Sequence, residues 1–268
     1  MRRFAFVLLV VALSATRAAG AATTTGFHIA DSGGGVASVG DATDAGDAGD
    51  GGLPAPIVGI AVTPTESGYW LASADGAVLR FGDAPFKGSA AAQPLNQPIV
   101  GIASTSTGRG YWLVAADGGI FTYGDASFAG STGGMRLNQP IVGMARAPSG
   151  GYWFVARDGG IFTFGGALFY GSTGAYVLNQ PIVGMAIHPS GRGYWLVARD
   201  GGVFPFGAAK FLGSAGGAPP GAGVSGIVAT PSGDGYWLVT GDGTVLAYGD
   251  AAKLQSPGPQ QARVVAAS

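Results

Sequence analysis

The stretch Gly110–Ala126, GYWLVAADGGIFTYGDA, is copied along most of the chain, and this repetition constrains the fold more than any other feature. Tyr-Trp pairs occur at Tyr69-Trp70, Tyr111-Trp112, Tyr152-Trp153, Tyr194-Trp195 and Tyr236-Trp237, spaced 42, 41, 42 and 42 residues apart. An apolar segment precedes each pair: Ile57-Val58-Gly59, Ile99-Val100-Gly101, Ile141-Val142-Gly143, Ile182-Val183-Gly184 and the divergent Val224-Ser225-Gly226. The one-residue deletion falls in Ala147-Pro148-Ser149-Gly150-Gly151, which is a turn by composition. A fixed period of this size means one supersecondary unit stacked on copies of itself.

Each unit contains four short apolar runs, expected as strands A to D at Ile99–Ser104, Gly110–Ala115, Ile120–Tyr123 and Ser127–Gly130. Asp117-Gly118 between two such runs predicts a hairpin closed by a two-residue type I′ turn. That turn pairs Ala116 with Gly119, Val114 with Phe121, Trp112 with Tyr123, and Tyr111 with Gly124. Trp112, Val114, Phe121 and Tyr123 then share one face while Leu113, Ala115 and Ile120 line the other. Both faces are apolar, so the hairpin belongs between stacked sheets, with the Trp side chains in the core. Small residues such as Gly101 and Ala103 fit an innermost strand where neighbouring strands converge.

Four strands in about 42 residues is the size of one β-propeller blade. Repeats are expected near 57–98, 99–140, 141–181, 182–223 and 224–256. A worn sixth copy precedes them: Gly26–Ala42 aligns without a gap onto Gly110–Ala126, 84 residues later, with His28 in the place of Trp112. Gly40 precedes Ile57 by 17 residues, the same separation as Gly82 to Ile99. This copy lacks strand A, and the small, apolar run Gln261–Ser268 (QARVVAAS) follows the fifth unit where a strand A is due. The expected fold is therefore an all-β, six-bladed β-propeller of four-stranded blades. Its last blade, 26–52 plus 261–268, is closed by the C-terminal strand, with Val264 and Val265 beside Phe27–Ile29. Pro205 weakens strand C of its unit, and Asp41–Gly52 reads as a loop.

Residues 1–21 read as a secretory signal: Arg2 and Arg3, an apolar core from Phe4 to Leu13, and the small residues Ala19-Gly20-Ala21. The run is too short for a bilayer span, and Arg17 interrupts any extension; an uncleaved anchor is the alternative to a cleaved signal. Residues 22–268 form a single domain. Removing Arg2, Arg3 and Arg17 leaves 11 basic against 15 acidic residues, a net charge of about −4. A nucleic-acid partner would need clustered Lys and Arg, so none is expected, nor any membrane span after signal removal. The product is expected to be monomeric and secreted or cell-wall associated. With no Cys in the chain, lipoprotein anchoring, disulfides and thiolate chemistry are excluded.

Catalytic patterns are sparse. The two histidines, His28 and His188, lie far apart, and the Gly-x-Ser-x-Gly elbow and the Walker loop are both missing. Asp75, Asp117, Asp158, Asp200 and Asp242 recur, but Asp before Gly is what the turn chemistry requires. Asp41, Asp44, Asp47 and Asp50 are evenly spaced and offer oxygen ligands for Ca²⁺, although an acidic, Gly-rich loop is more often simply solvated. The D-to-A loops carry the variable, hydrogen-bonding side chains: Asn96-Gln97, Arg136, Asn138-Gln139, Tyr176 and Asn179-Gln180. Arg157 and Arg199 precede turn Asp residues on the same rim. Amides both donate and accept hydrogen bonds, which suits sugar hydroxyls or peptide backbone. The bland alternative is that they tie one blade's loop backbone to the next.

The repeat PIVGMA…GYWLVARDGGIF.FG, with FYGSTG…LNQ at Phe169–Gln180, resembles a repeat common in secreted actinobacterial proteins, where it occurs alone or attached to cell-wall hydrolases. More distantly, its DG.IF.FG core is similar to the regulator-of-chromosome-condensation and tectonin propeller groups. The resemblance implies an extracellular propeller acting as a binding or display module; together with the sparse catalytic patterns and the amide-bearing loops, the expectation is a non-enzymatic module with a cell-envelope glycan or surface protein as partner. A carboxylate-dependent polysaccharide hydrolase or lyase and a structural spacer are the other two classes compatible with the sequence.

Overall fold

The computed structural model describes residues 9–10, 26–49 and 52–257. Among them there is no helix; consecutive strands form six antiparallel, three-stranded sheets in chain order. The first holds β1 (Leu9–Val10), β2 (Phe27–Ala30) and β3 (Val36–Val39), and the second β4 (Ile57–Val62), β5 (Gly68–Ser73) and β6 (Val78–Gly82). The third contains β7 (Ile99–Ser104), β8 (Gly110–Ala115) and β9 (Ile120–Gly124), and the fourth β10 (Ile141–Arg146), β11 (Gly151–Ala156) and β12 (Ile161–Gly165). β13 (Ile182–Ile187), β14 (Gly193–Ala198) and β15 (Val203–Gly207) make the fifth, and β16 (Val224–Ala229), β17 (Gly235–Thr240) and β18 (Val245–Gly249) the sixth.

The first strand of each sheet touches the first strand of the next: β4 meets β7, β7 meets β10, β10 meets β13, β13 meets β16, and β1 meets both β16 and β4. The arrangement is propeller-like. In five sheets this strand carries a bulge at its second residue, which bends it and strengthens its twist. Val58, Gly59, Val100, Gly101, Val142 and Gly143 line the cavity where the strands converge. A Cβ on Gly59 would lie 2.8 Å from Ile102, so close approach requires glycine here. Ala103 does not line the cavity; it packs with Trp112 and Val114 in the core between sheets.

The hairpin register differs from expectation by one residue. Tyr111 faces Tyr123, Trp112 faces Thr122, Leu113 faces Phe121, Val114 faces Ile120, and Gly110 faces Gly124. A type I′ turn needs positive φ at both central residues, and Glu66 is the one described non-glycine residue that has it. Asp117 instead sits in a three-residue loop: the Gly118 N–H donates to the Ala115 carbonyl (2.8 Å), Gly118 takes φ +77°, and the Ala115 N–H donates to Gly119 (2.8 Å). The Gly119 N–H donates to the Asp117 carboxylate (2.9 Å). A one-residue slip re-pairs every side chain, so Trp112 shares its face with Thr122, and Tyr111 shares the other with Tyr123.

Burial was anticipated correctly on both faces: the middle strand β8 is buried at all six positions. The Trp side chains are core residues, and four of the five meet the Tyr of the following sheet. Ring centroids are 5.4 Å apart for Trp70–Tyr111, 5.7 Å for Trp112–Tyr152, 6.1 Å for Trp153–Tyr194 and 5.6 Å for Trp195–Tyr236. The worn copy takes part with substitutes. Trp237 meets Phe27 at 5.5 Å, and His28 meets Tyr69 at 4.8 Å. Phe27 and Ile29 share a core cluster with Val228, Trp237 and Val239 of the sixth sheet, while Ala30 packs with Ile57, Ile60 and Tyr69 of the second.

Among the described residues strand D does not form. The segment after each third strand is held by aromatic side chains instead of a ladder. The Trp indole N–H of the same sheet donates to Pro85, Ser127, Leu168, Lys210 or Ala252 carbonyls at 2.7 to 2.9 Å. From the following sheet, the Tyr152 hydroxyl accepts from the Ala129 N–H (3.1 Å) and donates to the Gly130 carbonyl (2.6 Å). Tyr111, Tyr194 and Tyr236 act likewise. The third strand is therefore the outer edge of each sheet, which is why Pro205 is accommodated in β15, opposite Trp195. The place beside Phe27–Ala30 is taken by Leu9–Val10, paired Leu9 with Ala30 and Val10 with Ile29. Residues 261–268, expected there, lie outside the described residues, as do the rest of 1–21 and Asp50.

Burial pushes the Tyr111, Tyr152, Tyr194 and Tyr236 hydroxyls above the ordinary range, and Tyr69 to about 12. Among the described residues, Tyr123 carries the one buried side-chain polar atom without a partner, and Phe81, Phe164 and Phe206 replace it in other sheets. The same chemical change should thus have opposite effects at two sites. Tyr152→Phe orphans an N–H and a carbonyl and should cost about 1–3 kcal/mol, whereas Tyr123→Phe should be neutral or stabilise by about 1 kcal/mol. Urea unfolding of both variants checks this; equal losses would contradict the clamp.

Candidate functional site

The face carrying the D-to-A loops is ordered by a backbone relay. In the second to fifth sheets the turn between the second and third strands wedges between two successive loop ends. The Arg157 N–H donates to the Pro140 carbonyl and its carbonyl accepts from Ile182, both at 2.9 Å. Arg199 does the same between Pro181 (2.9 Å) and Val224 (2.7 Å), and Ala116 between Pro98 and Ile141 (2.9 Å each). Thr132 and Thr173 fasten the loops further, donating to the Asp117 and Asp158 carbonyls at 3.0 Å. The worn copy joins the relay where its alignment predicts, with the Ile57 N–H donating to Ser32 and the Ala48 N–H to Gly34.

This relay brings most of the expected site residues into one run. Asn96-Gln97 precede Pro98, Asn138-Gln139 precede Pro140, and Asn179-Gln180 precede Pro181. Arg157 therefore stands between the second and third amide pairs, and Arg199 adjoins the third. Arg136 and Tyr176 lie on the loop crests, Arg136 just after the tight turn Thr132–Met135 and Tyr176 closing the turn Thr173–Tyr176. All ten side chains are exposed, and none of them makes a side-chain hydrogen bond among the described residues. Backbone and threonine hydroxyls tie the loops instead, so the bland role anticipated for the amides belongs to other groups. Met135 (59%), Tyr176 (70%) and Val177 (101%) add exposed apolar surface on the crests.

At the axis the strands leave a cavity of about 70 Å³, far below the roughly 300–1,000 Å³ of small-molecule sites. Each recurrent Asp serves its own turn: Asp75, Asp117, Asp158, Asp200 and Asp242 accept from the amide two residues on, at 2.9 to 3.2 Å. Among the described residues no three His, Asp or Glu side chains come together as metal ligands. Asp44 and Asp47 cap Gly46 and Gly49 amides of their own loop at 2.8 Å.

The opposite face holds a second set of carboxylates. Asp125 accepts from the Thr105 (2.8 Å) and Thr107 hydroxyls, and the Thr107 bond holds its pKa below the ordinary carboxylate range. Asp83 and Asp250 repeat the pattern with Thr63–Thr65 and Thr230–Ser232. His188, bonded to Ser190 at 2.8 Å, stands in the place of the first Thr of this motif, and His28, bonded to Ser38 at 3.1 Å, is buried. Burial lowers both imidazole pKa values.

One exposed set was not picked out from the sequence: Phe86, Phe128, Phe169 and Phe211. The signal was there, since Phe recurs at one position of four units, but the expectation of a paired strand D hid it.

These features define a repeat protein of sequential, propeller-like sheets with one face of fixed backbone and unengaged polar side chains. A scan against protein-family models and a search of curated proteins each return no match. The combined variant Asn138→Ala, Gln139→Ala, Asn179→Ala, Gln180→Ala should keep its stability within about 0.5 kcal/mol of the parent, because exposed, unbonded side chains contribute little. Thermal unfolding measures this, and a large drop would mean the amides do tie the loops.

Proposed function

We propose that the chain is a secreted, non-enzymatic binding module, a closed six-bladed β-propeller that holds a cell-envelope glycan or surface protein on the face bearing the D-to-A loops. The observation that carries the reading is the run from Asn96 to Arg199. Its amides and guanidinium groups stand exposed and unbonded on a backbone fixed by the relay. Preorganised donors and acceptors lose little entropy on binding. The resemblance to secreted repeats attached to cell-wall hydrolases supports the choice of envelope ligands.

The test is to incubate the chain with insoluble cell wall and with a glycan array. Retention without product is expected; soluble sugars released from the wall would make the protein a hydrolase or lyase and overturn the reading.

The contacts of Phe27 with Trp237 and of His28 with Tyr69 support closure. Cleavage after Ala21 would take Leu9–Val10 away from β2. In the mature chain the slot beside Phe27–Ala30 is then filled by 261–268, which removes the exposed edge. Deleting 261–268 from a chain starting at residue 22 should lower the melting temperature by several degrees, as scanning calorimetry would show. An unchanged transition would rule out closure by this segment.

A further inference from the structure

We propose that Phe86, Phe128, Phe169 and Phe211 form a row of aromatic platforms for a neutral polysaccharide, one at each of four successive seams between sheets. Their exposures are 53%, 66%, 60% and 60%. An isolated exposed apolar residue is ordinary. These four occupy one structural position whose surroundings are built alike.

In every case the preceding carbonyl, of Pro85, Ser127, Leu168 or Lys210, accepts from a Trp indole of the same sheet. The following amide, of Lys87, Ala129, Tyr170 or Leu212, donates to a Tyr hydroxyl of the next sheet at 3.1 to 3.2 Å. Two residues after each Phe, a glycine at φ +128° to +135° lies against the ring of Tyr123, Phe164, Phe206 or Tyr248. The backbone beneath each Phe is thus gripped from both sides.

The fold does not require phenylalanine there. Asp44 and Lys253 hold the same position in the first and sixth sheets, although the Trp237 clamp is intact at the latter. Among the four copies the flanking residues have diverged, to Pro, Ser, Leu and Lys before and Lys, Ala, Tyr and Leu after, yet the exposed ring has not changed.

A serine follows three residues on: Ser89, Ser131, Ser172 and Ser214 are half-buried, and their hydroxyls make no hydrogen bond among the described residues. In the two units without Phe the equivalent side chain is engaged, Ser256 with the Val245 N–H (2.9 Å) and Asp47 with the Val36 N–H (3.4 Å). The Phe-bearing units therefore carry an exposed ring and, three residues on, an unengaged hydroxyl. That combination matches a pyranose, with its C–H face and its rim of hydroxyls. Like platforms repeated once per sheet over four successive sheets match a polymer of repeating units. Lys87 and Lys210 flank the row, Lys210 is paired with Asp234 at 3.1 Å, and Asp83 and Asp125 stand three residues before Phe86 and Phe128, so an acidic chain has little to hold it. The platforms act independently of the D-to-A face and do not require it.

The full chain would be assayed for sedimentation with insoluble chitin, cellulose and purified peptidoglycan, and separately with vesicles of phosphatidylcholine and phosphatidylglycerol. Retention on at least one polysaccharide is expected. F128A/F169A should weaken it about tenfold or more, since linked sites act together, and F128L/F169L should lose as much. F128Y/F169Y should restore it. Thermal unfolding confirms folding of each variant, and F128K, which repeats the side chain that Lys253 supplies in the sixth sheet, serves if an alanine variant fails. Binding that survives in the leucine variant would mean simple apolar burial, and Phe-dependent binding to vesicles alone would mean a membrane surface; either result, or retention on none of the three polysaccharides, overturns the proposal. The quadruple amide variant should keep the Phe-dependent binding. If it loses binding while F128A/F169A does not, the D-to-A face is the site and the platforms are not.

Discussion

The contact on which the rest depends is the meeting of a Trp with the Tyr of the following sheet. Each ring buries itself against its neighbour while its polar tip reaches past the core to grip a backbone segment outside the ladder. Buried indole N–H and phenol O–H groups need partners, and here the partners are the atoms that the unformed fourth strand would otherwise have left unpaired. Packing and polar satisfaction are therefore solved by the same two side chains. The aromatic pairing contributes about 0.5–1.5 kcal/mol per pair beyond burial, and each Tyr hydroxyl adds two hydrogen bonds. Sheets that contact mainly their neighbours gain stability seam by seam, as in other repeat proteins.

Most of this architecture was legible in the sequence because period and composition report burial directly. The 42-residue spacing, the two apolar faces of β8 and the equivalence of Gly26–Ala42 with Gly110–Ala126 all follow from residue type and position. The register of the hairpin was not legible. Asp-Gly favours a two-residue turn in isolation, but Asp117 avoids positive φ by capping the Gly119 amide, and Gly118 alone enters the left-handed region. One residue of slip then exchanged the partners of Trp112 and Tyr111. Nor could the sequence show that Ser127–Gly130 is held by side chains instead of a ladder, since apolar composition is the same for both. For the site, exposure of the loop amides was foreseeable, but their lack of engagement was not: it depends on the relay through Ala116, Arg157 and Arg199, whose backbone atoms carry no sequence signature.

The division of labour on the D-to-A face has a physical reason. Loops that used Asn and Gln to fasten themselves would change shape whenever those residues changed. Here the fastening groups are peptide N–H and C=O, with Thr132 and Thr173, so side chains can vary between Asn138-Gln139 and Gly221-Ala222 while the loop ends keep their places. The same holds at the seams, where the clamps act on carbonyls and amides and leave the side chains between them open to change. A scaffold of this kind tolerates surface variation and still presents it in fixed positions, which is what binding needs from a framework.

The two seams beside the first sheet show what happens when this arrangement is incomplete. Phe27 packs on Trp237 but has no hydroxyl, so the segment at Lys253 keeps its indole bond and lacks the phenol. His28 packs on Tyr69 but sends no indole across, so the segment at Asp44 keeps the Tyr69 bond to Gly46 and relies on Asp44 and Asp47 to cap its own amides. Each of these seams has one clamp where the other four have two. They are also the two positions without an exposed Phe. Local opening follows local bonding, so among the described residues the first sheet is held by fewer clamps than the others. A rigid aromatic platform needs a backbone that does not move beneath it, and the rings are found only where both clamps are present.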